Sequence, residues 1–500
     1  MRTLLTAALL AAGCATPEAP PRAETTAGVV QGVRDGSVTH FAGIPFAAPP
    51  VGDLRWRAPQ PVARWDGVRK STRTPACAQG TNRKDVSEDC LYLHVTARDG
   101  AEDRPVLVWL HGGGFSEGAG FDYDPARMAS RGDVVVVTVD FRLGLYGFFG
   151  APGLDGSGTF GFQDQQAALR WVRDNIRGFG GDPGNVTLAG ESGGAIATCA
   201  HLTSPGARGL VHRAILQSGW CDGGVPANLT PTGSAAFRFF QPRATVEKTG
   251  AETMTALGCD SVACLREVPP ARLDEHYPKF GAGAYGTAIL PTDPIEAEIA
   301  PVPMIVGANR HEHRLTAGIM ALAGFEWRTE DFPRLMTETF GDGAPAIVRE
   351  YDPATFGGNA ALAWAQVFTD SAACASSGAG GPAFAYDFAD ENAQPFIDLP
   401  EGFPAGASHA SELPNLFEVA GRQPITSDRY TDAQRRLADT MIDYWTTFAR
   451  TGDPNHEGAP SWARRATLQL APDDIRPVDP DAVHRCDFWR STEDTDTLGR

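Results

Sequence analysis

The stretch that most limits what this chain can become runs from Asn185 to Leu202. A β-prone run, Val186-Thr187-Leu188-Ala189, meets Gly190-Glu191-Ser192-Gly193-Gly194, and a helix-prone run from Ala195 to Leu202 follows. The pattern predicts a strand, a sharp turn and a helix. Backbone at such a turn passes close to itself, and glycines at 190 and 194 leave room that a side chain would fill. The serine is then strained, with its hydroxyl raised clear of the sheet and a helix N-terminus behind it. Gly-x-Ser-x-Gly alone is a weak signal in a chain with 56 glycines, and Gly114-Phe115-Ser116-Glu117-Gly118 matches it too. Ser116 is followed by Glu117-Gly118-Ala119-Gly120, which cannot start a helix. Ser192 is therefore the predicted nucleophile and Ser116 a turn residue.

Around this turn, buried strands alternate with helices. Pro105–Leu110 and Asp133–Val139 are continuous apolar runs, the mark of strands covered on both faces. Arg213–Gly219, Pro303–Gly307 and Phe384–Phe388 are further strands. Phe162–Ile176 and Gln434–Arg450 have helical spacing, the latter with Leu437, Met441, Tyr444, Trp445 and Phe448 on one side. Such alternation predicts a parallel sheet with right-handed crossovers. Phe41–Trp56, rich in Gly and Pro, cannot be helical and reads as an edge hairpin followed by a surface loop. The stretch from Asn228 to Tyr285 reads as helical and less regular. The strand 105–110 ends in His111-Gly112-Gly113-Gly114-Phe115. Three successive glycines allow backbone N–H groups to converge on one point, as a developing oxyanion requires.

Length and charge set the outer limits. Five hundred residues can form one large α/β unit, and a formal net charge of −18 argues against nucleic acid and anionic membrane surfaces as partners. At the N-terminus, Met1-Arg2 precedes a short apolar core, Thr3–Leu10, then Ala11-Ala12-Gly13-Cys14. Residues 1–14 read as an export signal with a lipobox-like end, which makes Cys14 a candidate lipidated residue; cleavage after Ala15 is the alternative. Residues 15–27 read as a Pro-rich tether, 28–490 as one catalytic domain and 491–500 as a tail. Export means periplasm, outer membrane or secretion. None of the nine cysteines forms a Cys-x-x-Cys pair, and no His/Cys spacing fits zinc, so disulfides in an oxidising compartment are expected and no metal site is.

A serine nucleophile needs a base oriented by a carboxylate, and on this scaffold the chain order is Ser, acid, His. Glu312 follows the strand at 303–307. His313, His409, His456 and His484 lie beyond it, and composition does not choose among them. Placement after the strand at 384–388 favours His409, whereas His313 adjoins the acid and cannot easily fold back on it.

Several motifs occur together. They are Phe41-Ala42-Gly43-Ile44-Pro45-Phe46-Ala47, Ser87-Glu88-Asp89-Cys90-Leu91-Tyr92-Leu93, His111–Phe115, Phe179-Gly180-Gly181-Asp182-Pro183, Gly190–Gly194 and Phe448–Asn455. With them the chain resembles the type B carboxylesterase family of the α/β-hydrolase fold, from Gly28 to Trp489. The resemblance implies a large, mostly parallel sheet with helices on both faces and a helical insertion over the site. It implies Ser192 as nucleophile, Glu312 as acid and His409 as base, with oxyanion donors at Gly113, Gly114 and Gly193. Ser218 is implied as a partner of the acid, and Glu191 as a supporting residue beside the nucleophile. Disulfides Cys77–Cys90, Cys259–Cys264 and Cys374–Cys486 are implied, leaving Cys199 and Cys221 either paired or as free thiols. The expected activity is hydrolysis of small carboxylic esters through an acyl-enzyme, with no cofactor. A long-chain lipase and a non-catalytic adhesion protein on the same fold are the rival readings. Three departures stand out: Glu312 is flanked by His311 and His313, Gly193 replaces the usual alanine, and the 77–90 loop lacks tryptophan. The last disfavours a choline ester, whose cation such a ring would hold.

Overall fold

The computed structural model describes residues 19–80, 83–229, 234–376, 383–420 and 424–492. Cys14 and the expected export signal lie outside them, as do residues 493–500 of the expected tail. Among the described residues an eleven-stranded sheet forms the centre. Its strands in chain order are β1 (Val33–Asp35), β2 (Val38–Pro45), β3 (Tyr92–Arg98), β4 (Arg104–Leu110), β5 (Val135–Val139), β6 (Gly181–Glu191), β7 (Arg213–Gln217), β8 (Met304–Asn309), β9 (Phe384–Phe388), β10 (Thr467–Leu470) and β11 (Arg476–Val478). Across the sheet they run β11-β10-β9-β8-β7-β6-β4-β5-β3-β2-β1. From β10 to β5 every neighbouring pair is parallel; β11 at one margin and β3, β2 and β1 at the other are antiparallel.

The period-2 alternation of a strand divides each apolar run between two cores. Val106, Val108 and Leu110 of β4 face α1 (Phe160–Asn175) and α2 (Gly193–Thr203) in one core, with Leu169, Val172, Ala195 and Ala200. Leu107 and Trp109 face the other core, together with Leu437, Met441, Trp445 and Phe448. Those four come from the long helix Asp432–Thr451, which starts on a capping box between Thr431 and Gln434 and stops at Gly452 with φ 81°. A third core lies outside the sheet. There α3 (Arg314–Leu322) and α4 (Ala360–Ser376) pack with Phe332, Phe340 and Trp489.

The structure departs from the sequence expectations in three places. Residues 22–27 belong to the folded body rather than to a tether: Arg22–Glu24 pairs with Val29–Gln31, Ala23 is buried, and Thr26 N–H donates to Asn175 Oδ1 at 2.7 Å. The end of the 41–56 stretch is not surface loop, since Trp56 is fully buried and its indole N–H donates to the Leu145 carbonyl. The region 228–285 is mixed: Phe240–Pro242 pairs with Gly283–Tyr285, and helices Arg243–Ala256, Val262–Glu267 and Pro270–Asp274 lie between them. The disulfides Cys77–Cys90, Cys259–Cys264 and Cys374–Cys486 are present, and Cys199 pairs with Cys221.

Candidate active site

The site lies at the carboxyl ends of adjoining parallel strands, where successive loops leave the sheet on the same edge. β6 ends at Glu191 and α2 begins at Gly193, so Ser192 is the single residue of the turn. Its φ of 54° and ψ of −123° are outside the regions that residues with side chains favour. The turn closes because of its glycines. A Cβ on Gly190 would lie 2.4 Å from the Gly194 carbonyl, and one on Gly194 would lie 2.0 Å from the Leu110 oxygen. Ser116 lies in the loop after β4, in a turn closed by its N–H on the Gly113 carbonyl.

The loop after β4 folds against this turn. Gly113 and Gly114 have φ of 101° and 59°, and a Cβ on Gly193 would lie 2.8 Å from Gly114 N. Among the described residues, the N–H groups of Gly113, Gly114 and Gly193 have no hydrogen-bond acceptor. Two buried side chains hold the loop. His111 stacks on Phe141 with centroids 4.4 Å apart and its Nδ1 donates to the Gly112 carbonyl, while burial keeps its pKa low and the ring neutral. Gln79 makes a two-bond clamp with Gly118, donating to its carbonyl at 3.0 Å and accepting from its N–H at 3.1 Å.

Glu312 and His409 meet across the loops that follow β8 and β9. His409 Nδ1 donates to Glu312 Oε2 at 2.5 Å. The other oxygen, Oε1, accepts from Ser218 Oγ and from the Asn309 N–H, each at 2.6 Å. Burial works against the Glu312 charge, but His409 and these donors outweigh it and lower its pKa. His409 Nε2 faces the turn, 3.1 Å from Glu191 Oε1. Ser192 Cβ and the Glu191 carboxylate lie 3.3 and 2.6 Å from a single point beside Gly112. The Glu191 carboxylate thus adjoins both the imidazole, through Oε1, and the glycine loop, through Oε2. Burial lowers the His409 pKa, yet Glu191 and then Glu312 more than offset it and hold the imidazole above its ordinary value.

The other histidines are not brought here. His313 packs against Trp364 and Phe368, with burial pushing it down to about 4. His484 is held by Asp370 at 3.0 Å, and His456 stands against Tyr444.

Beside Ser218, Glu312 and His409 is a polar layer that sequence reasoning misses. Buried Glu412 accepts from Gln217 Nε2 at 3.0 Å and Asn309 Nδ2 at 2.6 Å, and Gln217 Oε1 accepts from Trp445 Nε1 at 2.9 Å. Three of these residues stand beside one already singled out: Gln217 before Ser218, Asn309 three before Glu312, Glu412 three after His409. That adjacency is the one signal available. Among the described residues no group of three or more His, Cys, Asp or Glu side chains could hold a metal ion, and no helix is long and apolar enough to cross a membrane.

Comparison with known proteins covers most of the chain. Residues 19–341 and 359–473 match the carboxylesterase family model. Carboxylesterase 1D of Rattus norvegicus is 32% identical over 89% of this chain and 88% of its own length. The medium-chain fatty acyl-CoA hydrolase precursor of Anas platyrhynchos is 31% identical over 88% and 86%. Among solved structures a PNB esterase superposes with a TM-score of 0.72 at 28% identity, covering 93% of this chain and 99% of its own. The chain belongs to the carboxylesterase family and is a carboxylic ester hydrolase with the α/β-hydrolase fold.

Proposed function

We propose that Ser192, His409 and Glu312 are the catalytic triad and that the enzyme hydrolyses small carboxylic esters through an acyl-enzyme. The observation that carries this reading is the Glu312–His409 bond at 2.5 Å, with the other imidazole nitrogen on Glu191, the neighbour of a strained serine that stands beside three N–H groups without acceptors. Ser192 Oγ attacks the ester carbonyl as His409 Nε2 takes its proton. The N–H groups of Gly113, Gly114 and Gly193 hold the oxyanion, each contributing about 3 kcal/mol in the transition state. Glu312 keeps the Nδ1–H tautomer and stabilises the imidazolium. His409 then protonates the leaving alcohol, and a water deprotonated by the same nitrogen releases the acid. Phe239, 3.7 Å from the Cβ that Gly114 lacks, and half-buried Trp220 offer apolar surface for the substrate.

Ser192→Ala should abolish turnover of a p-nitrophenyl ester in a protein that still melts cooperatively; retained turnover rejects the triad. A series of acyl lengths, measured below and above micelle formation, separates a short-acyl esterase from a long-chain lipase.

The protein is further proposed to be exported, with Cys14 as its lipid-bearing residue. Four disulfides support an oxidising destination. Mass spectrometry of the mature N-terminus tests the lipid.

A further inference from the structure

We propose that the Cys199–Cys221 cross-link is a positioning device for the triad, setting Ser218 on Glu312, and this rests on the triad reading above. Cys199 lies on α2, the helix that begins at the nucleophile. Cys221 lies three residues after Ser218, in the loop that leaves β7. The two elements touch along one stripe of the helix. A Cβ on Gly219 would lie 2.6 Å from the Ser192 carbonyl, 3.0 Å from Ala195 Cβ and 3.2 Å from Ile196 Cγ1, and one on Gly223 would lie 2.6 Å from Ile196 Cδ1. Positions 192, 195/196 and 199 follow the helical i, i+3/i+4, i+7 spacing, so the disulfide closes the far end of that contact.

The loop needs such a constraint. Ser218 has φ of 51°, a left-handed conformation that a serine keeps only when its surroundings impose it. Its N–H is fixed on the Gly307 carbonyl, and its hydroxyl must reach Glu312 Oε1 at 2.6 Å. Further on, Gly223 N–H closes a turn on the Trp220 carbonyl. The sulfur bridge, buried at both ends, pins the segment between these points to the nucleophile's own helix. Three functional groups are thereby referred to one rigid element: the hydroxyl of Ser192, the N–H of Gly193 and the hydroxyl of Ser218. By contrast, Cys259–Cys264 closes a short loop outside this contact.

The test is a double-mutant cycle. C199A/C221A should lower kcat by about ten- to a hundredfold with KM changed by less than about threefold, whereas C259A/C264A should keep the parent kcat. Ser218→Ala should cost a large factor in the parent and less than about threefold in the C199A/C221A background, because the hydroxyl is already misplaced there. Equal costs in both backgrounds, or parent kcat in C199A/C221A, overturns the proposal. A second measurement uses the parent enzyme, with reductant in urea below the unfolding transition and alkylation mapped by mass spectrometry. Activity falling in step with labelling of Cys199 and Cys221, at unchanged tryptophan fluorescence, supports the proposal. Labelling without loss of activity, or loss only with global unfolding, overturns it. Ser192→Ala run alongside separates the two readings. If it retains turnover, the triad fails and this proposal with it; if it is inactive while the cycle is additive, the positioning role alone fails.

Discussion

Replacing Glu191 by glutamine isolates the electrostatics of the site. The carboxyl is 2% exposed, and its Oε1 lies 3.1 Å from His409 Nε2. A general base must be neutral, so every influence that raises its pKa moves the acid limb of kcat/KM to higher pH. Burial opposes the imidazolium, but Glu191 and Glu312 prevail. Two unit charges at about 3 Å interact by about 5 kcal/mol at an effective dielectric constant near 20, equivalent to about 4 pKa units. Glu191 does not carry a whole charge near neutrality, because burial, together with Glu412 and Glu312 and against His409, pushes it up to about 8. Only about a tenth of the carboxyl is ionised near pH 7 on that value, so the expected displacement is a fraction of that figure, about half a unit. The sign is fixed: removing a negative neighbour makes the imidazolium a stronger acid, so the limb of Glu191→Gln moves to lower pH. The assay is kcat/KM for p-nitrophenyl acetate from about pH 5 to about pH 9.5 at constant ionic strength. A limb within about 0.3 unit of the parent's would refute the reasoning.

Three other perturbations have defined outcomes. Gly113→Ala would set a Cβ 2.1 Å from the Glu117 carbonyl at φ 101°, and should cut kcat by about a hundred- to a thousandfold through loss of oxyanion donors, read in steady-state kinetics. Glu312→Gln keeps the shape but reverses the Nδ1 partner, and should lower kcat by about ten-thousandfold while thermal stability changes little. Asp164→Asn strips the partner from Arg142, which it pairs at 2.7 Å in a fully buried setting; the cost should be about 3–5 kcal/mol in urea unfolding, with kcat of the folded fraction retained.

What is legible in the chain follows its physics. Strands covered on both faces, such as 104–110 and 135–139, are unbroken apolar runs, and the elbow at Ser192 is spelled out by glycines that nothing else could replace. Trp56 is harder to read, because it sits among Gly and Pro that suggest exposure while its indole is claimed by Leu145, distant in sequence. The boundary near residue 22 is missed for a related reason: Arg22 and Glu24 are polar, and only pairing with Val29–Gln31 buries Ala23 between them. The proposed triad members lie far apart in the chain, so pattern leaves four candidate histidines for the base; placement favours His409, resemblance strengthens that choice, and His409 is the one brought beside Glu312. The Gln217–Glu412–Asn309 layer has no motif because its members meet through tertiary contact. Cys199 and Cys221 are likewise ambiguous until a helix and a loop are seen to touch.

The parallel centre of the sheet joins β9 to β10, a strand that comes only at residues 467–470, while His409, the proposed base, stands on the connection between them. On the proposed triad, a chain truncated before β10 has the serine but lacks the strand that closes the loop carrying its base, and it should be inert toward esters.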